Sequence, residues 1–219
     1  MKNKILNIII LGPQGSGKGT QAKILAGKYK LTYIGTGDIF RKLARKKTAI
    51  GRQVNHLIND QGSLIPSDFV VKVVSLELMK ASKNKGLLFD GYPRNLKQAH
   101  ALEVVMKKLK REFTHIFYLP ISKNITIKRL TLRRTCKKCN RIFVLGVNID
   151  RKQIICQHCG GQIYQRDDDK PKAIANRLEI YQKQTKPIVN YYQKQSLLIR
   201  VNGEPPIKTV TKEIIKHLP

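Results

Sequence analysis

The chain has no tryptophan, and Phe, Trp and Tyr together make up only 6% of its 219 residues. Aliphatic side chains must therefore fill its core. Acidic residues are scarce: 14 Asp and Glu stand against 43 Lys and Arg, a formal net charge of +29. Such a field attracts nucleotides, nucleic acid or anionic lipid. Lys, Ile and Asn recur along the whole length, so the charge reads as a bias spread over the surface, not as one binding stripe. No specific nucleic-acid partner is expected. No apolar run approaches the roughly 20 residues of a membrane span, which argues against a membrane protein. The start, Met1-Lys2-Asn3-Lys4 followed by Ile5 to Leu11, faintly imitates a signal peptide. Its apolar run is short, Asn7 interrupts it, and no small-residue cleavage site follows, so a cytoplasmic protein is expected. Cysteine is limited to four residues, and with no export signal these point to a metal in preference to disulfides. What the chain does have is 41% hydrophobic residues, enough for one core with small insertions.

Short apolar runs alternate with helical patterns. Ile5 to Leu11, Gly86 to Asp90, His115 to Leu119 and Leu197 to Val201 read as buried strands, each ending at glycine or proline. Helical periodicity covers Thr20 to Tyr29, Asp68 to Lys83, Asn95 to Leu109, Ser122 to Arg134, Lys172 to Gln195, and a last helix from Ile207. This alternation predicts an α/β fold of three layers, a parallel sheet with helices on both faces. Two stretches break the rhythm and read as insertions: Gly35 to Leu64, with short helices and no strand, and Thr135 to Asp169, with four cysteines and short β-like runs.

The first strand runs into Gly12-Pro13-Gln14-Gly15-Ser16-Gly17-Lys18-Gly19-Thr20, and a helix follows. Glycines let backbone N–H groups turn inward around a phosphate, and the helix N-terminus adds partial positive charge. Lys18 can reach β- and γ-phosphates. The usual phosphate loop has Ser or Thr directly after its lysine; here Gly19 intervenes, which weakens a GTPase or motor reading.

Cys136-x2-Cys139 and Cys156-x2-Cys159 form two knuckles with sixteen residues between them, a strong zinc signature. Four thiolates close a tetrahedral site, so a Zn²⁺ there would be structural and would stabilise an insertion too polar to fold alone. His158 within the second knuckle is an alternative ligand, and free thiols or a disulfide pair remain the bland alternatives.

The Gly-Lys-Gly-Thr-Gln form of the phosphate loop is similar to that of the nucleoside monophosphate kinase family. Further segments resemble the family in the expected order: Thr36-Gly37-Asp38-Ile39-Phe40-Arg41, then Asp90-Gly91-Tyr92-Pro93-Arg94 with Tyr in place of Phe, then Arg129 and Arg133, then Arg166-Asp167-Asp168-Asp169 and Arg177. The likeness runs to Val201-Asn202-Gly203 and is to the adenylate kinases with a long zinc-binding lid. It implies Mg²⁺-dependent transfer of a phosphoryl group from ATP to AMP, giving ADP, by a monomer. It also implies a P-loop core of residues 1–34, 65–131 and 170–219, an NMP-binding insertion at 35–64 and a lid at 132–169.

The resemblance implies roles for single residues as well. Gly15, Ser16, Gly17, Lys18, Gly19 and Thr20 would hold the ATP phosphates. Arg129 would stack on the ATP adenine, near Ile142, Phe143 and the backbone at Pro205. Arg41 and Arg94 would hold the AMP phosphate, with Gly91, Tyr92 and Pro93 shaping that side. Arg133, Arg166 and Arg177 would close on the transferring group, oriented by Asp168 and Asp169. Asp90 would orient Mg²⁺ through water. Gln98, four residues after Arg94, would read the AMP adenine, with Thr36, Ser63, Leu64 and Ile65 lining the same pocket. Arg134 is read as structural. The stretch Val144 to Ile155 lacks the Asn-Pro-Pro segment common in long lids. Both insertions are expected to close over the core when substrates bind, which would exclude water.

Overall fold

The computed structural model describes residues 5–57 and 65–219. Its centre is a five-stranded parallel sheet in the order β2-β3-β1-β4-β8. These strands are β1 (Asn7–Leu11), β2 (Thr32–Gly35), β3 (Leu87–Asp90), β4 (His115–Tyr118) and β8 (Leu198–Arg200). The alternation of side chains along each strand divides the core in two. Ile9, Leu11, Leu87, Phe89 and Ile116 face one side. There they pack with α4 (Ser67–Lys80), α5 (Leu96–Lys108) and α8 (Lys186–Lys194). Ile8, Ile10, Leu88 and Phe117 face the other, against α1 (Lys18–Lys28) and α9 (Ile207–Ile215). The expected three layers are thus present.

Asn7 does not break β1. It is buried, and its amide is fully engaged: Nδ2 donates to the Glu112 carbonyl at 2.8 Å, and Oδ1 accepts from Arg111 at 3.2 Å. The buried asparagine is thereby satisfied at the closed end of the sheet.

Two differences from the sequence reading stand out. Thr32–Gly35 is a strand, β2, which the apolar runs did not reveal. It is an edge strand of four residues, and only Ile34 and Gly35 are buried, so it carries little hydrophobic signal. The predicted single helix from Lys172 to Gln195 is instead α7 (Pro171–Ile180), a wide π-helical turn at Tyr181–Thr185, and α8. Pro187 has no N–H to continue the ordinary ladder, and the widened turn lies directly before it.

Between β2 and α4 the chain forms α2 (Thr36–Ala44) and α3 (Ala49–Asn55). After α6 (Lys123–Leu132) it forms a separate antiparallel sheet in the order β6-β5-β7, from β5 (Arg133–Cys136), β6 (Ile142–Val144) and β7 (Ile163–Tyr164). These are the two insertions, the first helical and the second holding all four cysteines. Among the described residues no helix is long and apolar enough to cross a membrane.

Candidate functional site

In open parallel sheets ligands bind beyond the carboxyl ends of the strands, where the order of connection reverses. Here β1 has β3 on one side and β4 on the other, both parallel to it. The loop leaving β1 opens at that point and becomes the start of α1. Gly15 and Gly17 take positive φ, 77° and 90°, so the loop curls before the helix begins at Lys18. Gly19, the departure from the usual phosphate loop, has a steric reason. A Cβ there would lie 3.0 Å from Oδ2 of Asp90, the last residue of β3. The missing side chain lets that carboxylate rest against the first turn of α1.

Above the loop is a cleft of about 620 Å³. Lys18, Arg41, Arg94, Arg129, Arg133, Arg166 and Arg177 all line it, although they come from widely separated parts of the chain. The acids around them hold some in place. Arg133 is forked onto Asp169, with Nε donating to Oδ2 at 2.7 Å, and Asp169 is fully buried. Arg177 donates to Oδ2 of Asp168 at 2.7 Å. Arg41 donates to Oδ1 of Asp38 at 2.8 Å. Arg166 is buried and donates from Nε to the Thr135 hydroxyl at 2.8 Å. Arg94 donates to the Gly91 carbonyl at 2.9 Å. Arg129 spans three carbonyls, those of Gly15, Gly203 and Glu204, and so ties the phosphate loop to the chain after β8. Lys18 folds back and donates to the Pro13 carbonyl at 2.7 Å.

The cations outnumber their partners. Burial, reinforced by Arg94, Arg177 and Arg133 and opposed by Asp90, brings the Lys18 ammonium down to about 7. Burial and the neighbouring Arg177 and Arg41 push the Arg94 guanidinium down to about 10. Arg166 goes to about 9, by burial and by Arg133 and Arg41. Arg177 is lowered too, by burial first. Burial pushes the Asp168 carboxyl up, but Arg177, Arg133, Arg166 and Arg41 together pull it below its ordinary value. Two buried polar atoms at this place, Ser16 Oγ and Arg41 Nε, have no protein partner. A polyanion with several phosphates would satisfy the loop and relieve the repulsion.

The structure brings most of the sequence-predicted residues to this cleft: Gly15 to Thr20, Asp90, Gly91, Pro93, Ile142 and Pro205 line it besides the cations above. Others lie behind the wall. Tyr92 is buried and donates to the Gln98 carbonyl at 3.3 Å. Gln98 is itself buried, and its Oε1 accepts from the Arg94 backbone N–H at 2.8 Å. Thr36 is buried with its hydroxyl on the Gly91 carbonyl at 2.8 Å. Ile65 packs against the main core, and Phe143 packs against the cysteines. Ser63 and Leu64 lie outside the described residues. Sequence reasoning missed several groups that line the cleft, among them Asp38, Tyr33, Lys23 and Lys128. Asp38 stood within the Thr-Gly-Asp segment and could have been assigned there; Tyr33 carried no signal.

The four cysteines are free thiols and converge into a metal-binding cluster, with every Sγ within 4.8 Å of every other. Cys136 and Cys159 are 3.4 Å apart and Cys139 and Cys156 are 3.8 Å apart, sulfur to sulfur. A tetrahedron with metal–sulfur bonds of about 2.3 Å needs edges of about 3.8 Å, so the donor set fits. Each knuckle closes with a backbone bond back to its first cysteine, Asn140 N–H to the Cys136 carbonyl and Gly160 N–H to that of Cys156. Ile149 and Ile163 cover the cluster. His158 is exposed and is not part of it.

A family profile described as adenylate kinase matches residues 10–197. An adenylate kinase of Bacillus cytotoxicus is 39% identical over 209 residues, covering 95% of this chain and 96% of that protein. Adenylate kinases of Bacillus thuringiensis and Bacillus anthracis are 38% identical over the same length and coverage.

Proposed function

The chain belongs to the adenylate kinase family, and from that premise we propose how its own residues carry out phosphoryl transfer from ATP to AMP. The reading rests above all on one observation, the convergence of Lys18 and the arginines in a single cleft with Ser16 Oγ and Arg41 Nε unpartnered.

Two polyphosphates repel each other, and the transferring group spreads charge over three oxygens. The work of the protein is then positioning and electrostatic clamping. The loop Gly15 to Thr20 cradles the ATP phosphates, and Lys18 exchanges its bond to Pro13 for phosphate oxygens. Arg129 braces that loop through its carbonyl contacts and offers its guanidinium face to the adenine, beside Ile142 and Pro205. Arg41 and Arg94 hold the AMP phosphate. Arg133, Arg166 and Arg177 act on the group in flight, held by Asp169, Thr135 and Asp168. No general base is required, because the acceptor phosphate is already anionic. Gln98 selects adenine at the acceptor side, with Arg94 fixed by the same side chain.

Asp90, with Asp38 nearby, offers hard carboxylate oxygens beside the phosphate loop, a donor set that suits Mg²⁺. The cation, when bound with ATP, neutralises phosphate charge. The four-sulfur cluster suits Zn²⁺ and leaves no open position, so its role is structural. Residues 35–64 and 132–169 are the parts that close on a core of 1–34, 65–131 and 170–219.

The test is ADP formation from ATP and Mg²⁺ with AMP, CMP, UMP or GMP as acceptor. Selective turnover of AMP, lost in Arg94→Ala, is expected. Preference for CMP or UMP would overturn the reading of Gln98, and transfer to none would overturn the enzyme reading.

A further inference from the structure

Tyr33 lies on β2, two residues before the strand ends at Gly35. Residues two apart on a strand share a face. The Tyr33 side chain leans along that face, over Gly35, toward the carboxyl end of the sheet. The fit is close: a Cβ at position 35 would lie 2.3 Å from Tyr33 Oη and 2.5 Å from Cζ. Any residue other than glycine at 35 would expel the phenol. Gly35 is paired in register with Asp90 on β3, so the ring laid over Gly35 delivers its hydroxyl to that carboxylate. Oη donates to Asp90 Oδ2 at 2.9 Å and lies 3.3 Å from Asp38 Oδ2.

The surroundings agree with a purpose at the site. Tyr33 lines the cleft. Lys23 of α1 sits 5.8 Å over the ring and 3.1 Å from Asp38, and Arg41 holds the other oxygen of Asp38. A phenol keeps its proton at neutral pH, so Tyr33 is a donor there. Both close approaches to Asp90, from Tyr33 and from the Gly19 position, fall on Oδ2. Oδ1 carries neither and is the oxygen left for a cation or its water.

We propose that Tyr33 is a positioning residue of the phosphoryl-transfer site, its hydroxyl fixing the rotamer of Asp90 for the cation, and that Gly35 is glycine to admit it. The proposal rests on the assignment of Asp90 to the cation. The hydroxyl also separates two carboxylates that would otherwise repel across a partly dry cleft. Removing it leaves Asp90 free to rotate and raises the cost of ordering it when the cation arrives.

Mn²⁺ as a paramagnetic probe tests this without turnover. Free Mn²⁺ is read by electron paramagnetic resonance while it is titrated into protein saturated with the bisubstrate analogue diadenosine pentaphosphate. In Tyr33→Phe the Mn²⁺ affinity should fall about three- to tenfold, the size of one hydrogen bond. Affinity for the analogue without metal should stay within about twofold. Gly35→Ala should reproduce the loss, and the double variant should be no worse than either single one, because both act on the same bond. Unchanged Mn²⁺ affinity in Tyr33→Phe overturns the proposal, as does an equal loss of metal-free binding. Asp90→Asn separates the two levels. If it weakens Mn²⁺ while Tyr33→Phe does not, the role of Tyr33 alone fails. If it too leaves Mn²⁺ unchanged, the assignment of Asp90 fails and that of Tyr33 with it.

Discussion

Arg45, at the end of α2, donates from Nη2 to Oδ1 of Asn140 at 3.3 Å, so the helical insertion touches the turn of the first cysteine knuckle. Its Nη1 reaches the Lys137 carbonyl at 3.1 Å. The two insertions thus touch one another through Arg45. Arg45→Ala removes the bridge from an exposed position, so folding stability should change by less than about 0.5 kcal/mol. The balance between open and closed forms should shift, raising KM for AMP by about two- to fivefold. Distances between spin labels at Asn148 and Asn55 read the shift directly. The bisubstrate analogue should shorten them less in the variant, and an unchanged distribution would remove Arg45 from the closure.

Asp169 is buried and holds Arg133, which is itself only 13% exposed. Asp169→Ala strands that guanidinium. Removing one partner of a buried pair costs about 3 kcal/mol, and urea unfolding should show a loss of that size. The arginine also loses its orientation, so kcat should fall by about a hundredfold. If kcat survives with stability lost, the pair is structural only.

Lys18 supplies a pH dependence with a definite sign. Its ammonium is near 7 in the folded protein and 10.5 when exposed. Between those values the unfolded chain holds more protons than the folded one, so this group adds stability as pH rises from 7 toward 10.5. Lys18→Met should therefore melt above the parent protein at pH 7, and the gap should narrow at pH 9. Nucleotide phosphates restore the charge, so ATP binding at pH 8 should take up protons. Calorimetry in buffers of different ionisation enthalpy measures the uptake, which should vanish in Lys18→Arg.

The cysteine cluster is joined to the cleft-lining cations by a single strand. β5 begins at Arg133 and ends at Cys136, and its Thr135 holds Arg166. Chelation should lower Tm by about 10 °C and depress activity along with it. Elemental analysis should find one zinc per chain, and Cys159→Ser should reproduce both losses. Activity unaffected by complete metal removal would break the link between the cluster and Arg133.

Gln98 has two tasks to separate, because its Oε1 accepts from the Arg94 N–H while its proposed role is to read adenine. Gln98→Glu keeps the acceptor and changes the donor. If reading matters, KM for AMP should rise about tenfold with KM for ATP unmoved, in an assay varying each substrate. If the side chain only holds Arg94, both should stay near the parent values.

Much of the fold was legible because its signals are local. β1, the phosphate loop and α1 are consecutive in the chain, and the four apolar runs read as buried strands are all strands of one sheet. β2 was not legible, since an edge strand with two buried residues shows no periodicity. The cleft-lining cations were readable from ordered motifs. Burial of Gln98 and Thr36 behind the cleft wall was not, because a motif names a residue without saying which way it turns.

By itself the sequence determined the phosphate loop, the alternation that builds a three-layer parallel sheet, and a pair of cysteine knuckles. Each of these is written in residues a few positions apart, where backbone geometry dictates the outcome. The tertiary structure alone decided the partners. Arg133 meets Asp169 from 36 positions away, and Asp90 meets Tyr33 from 57. Such pairs depend on how separate elements pack and on space such as the bare Cα of Gly35 leaves, and neither is encoded in any one stretch of chain.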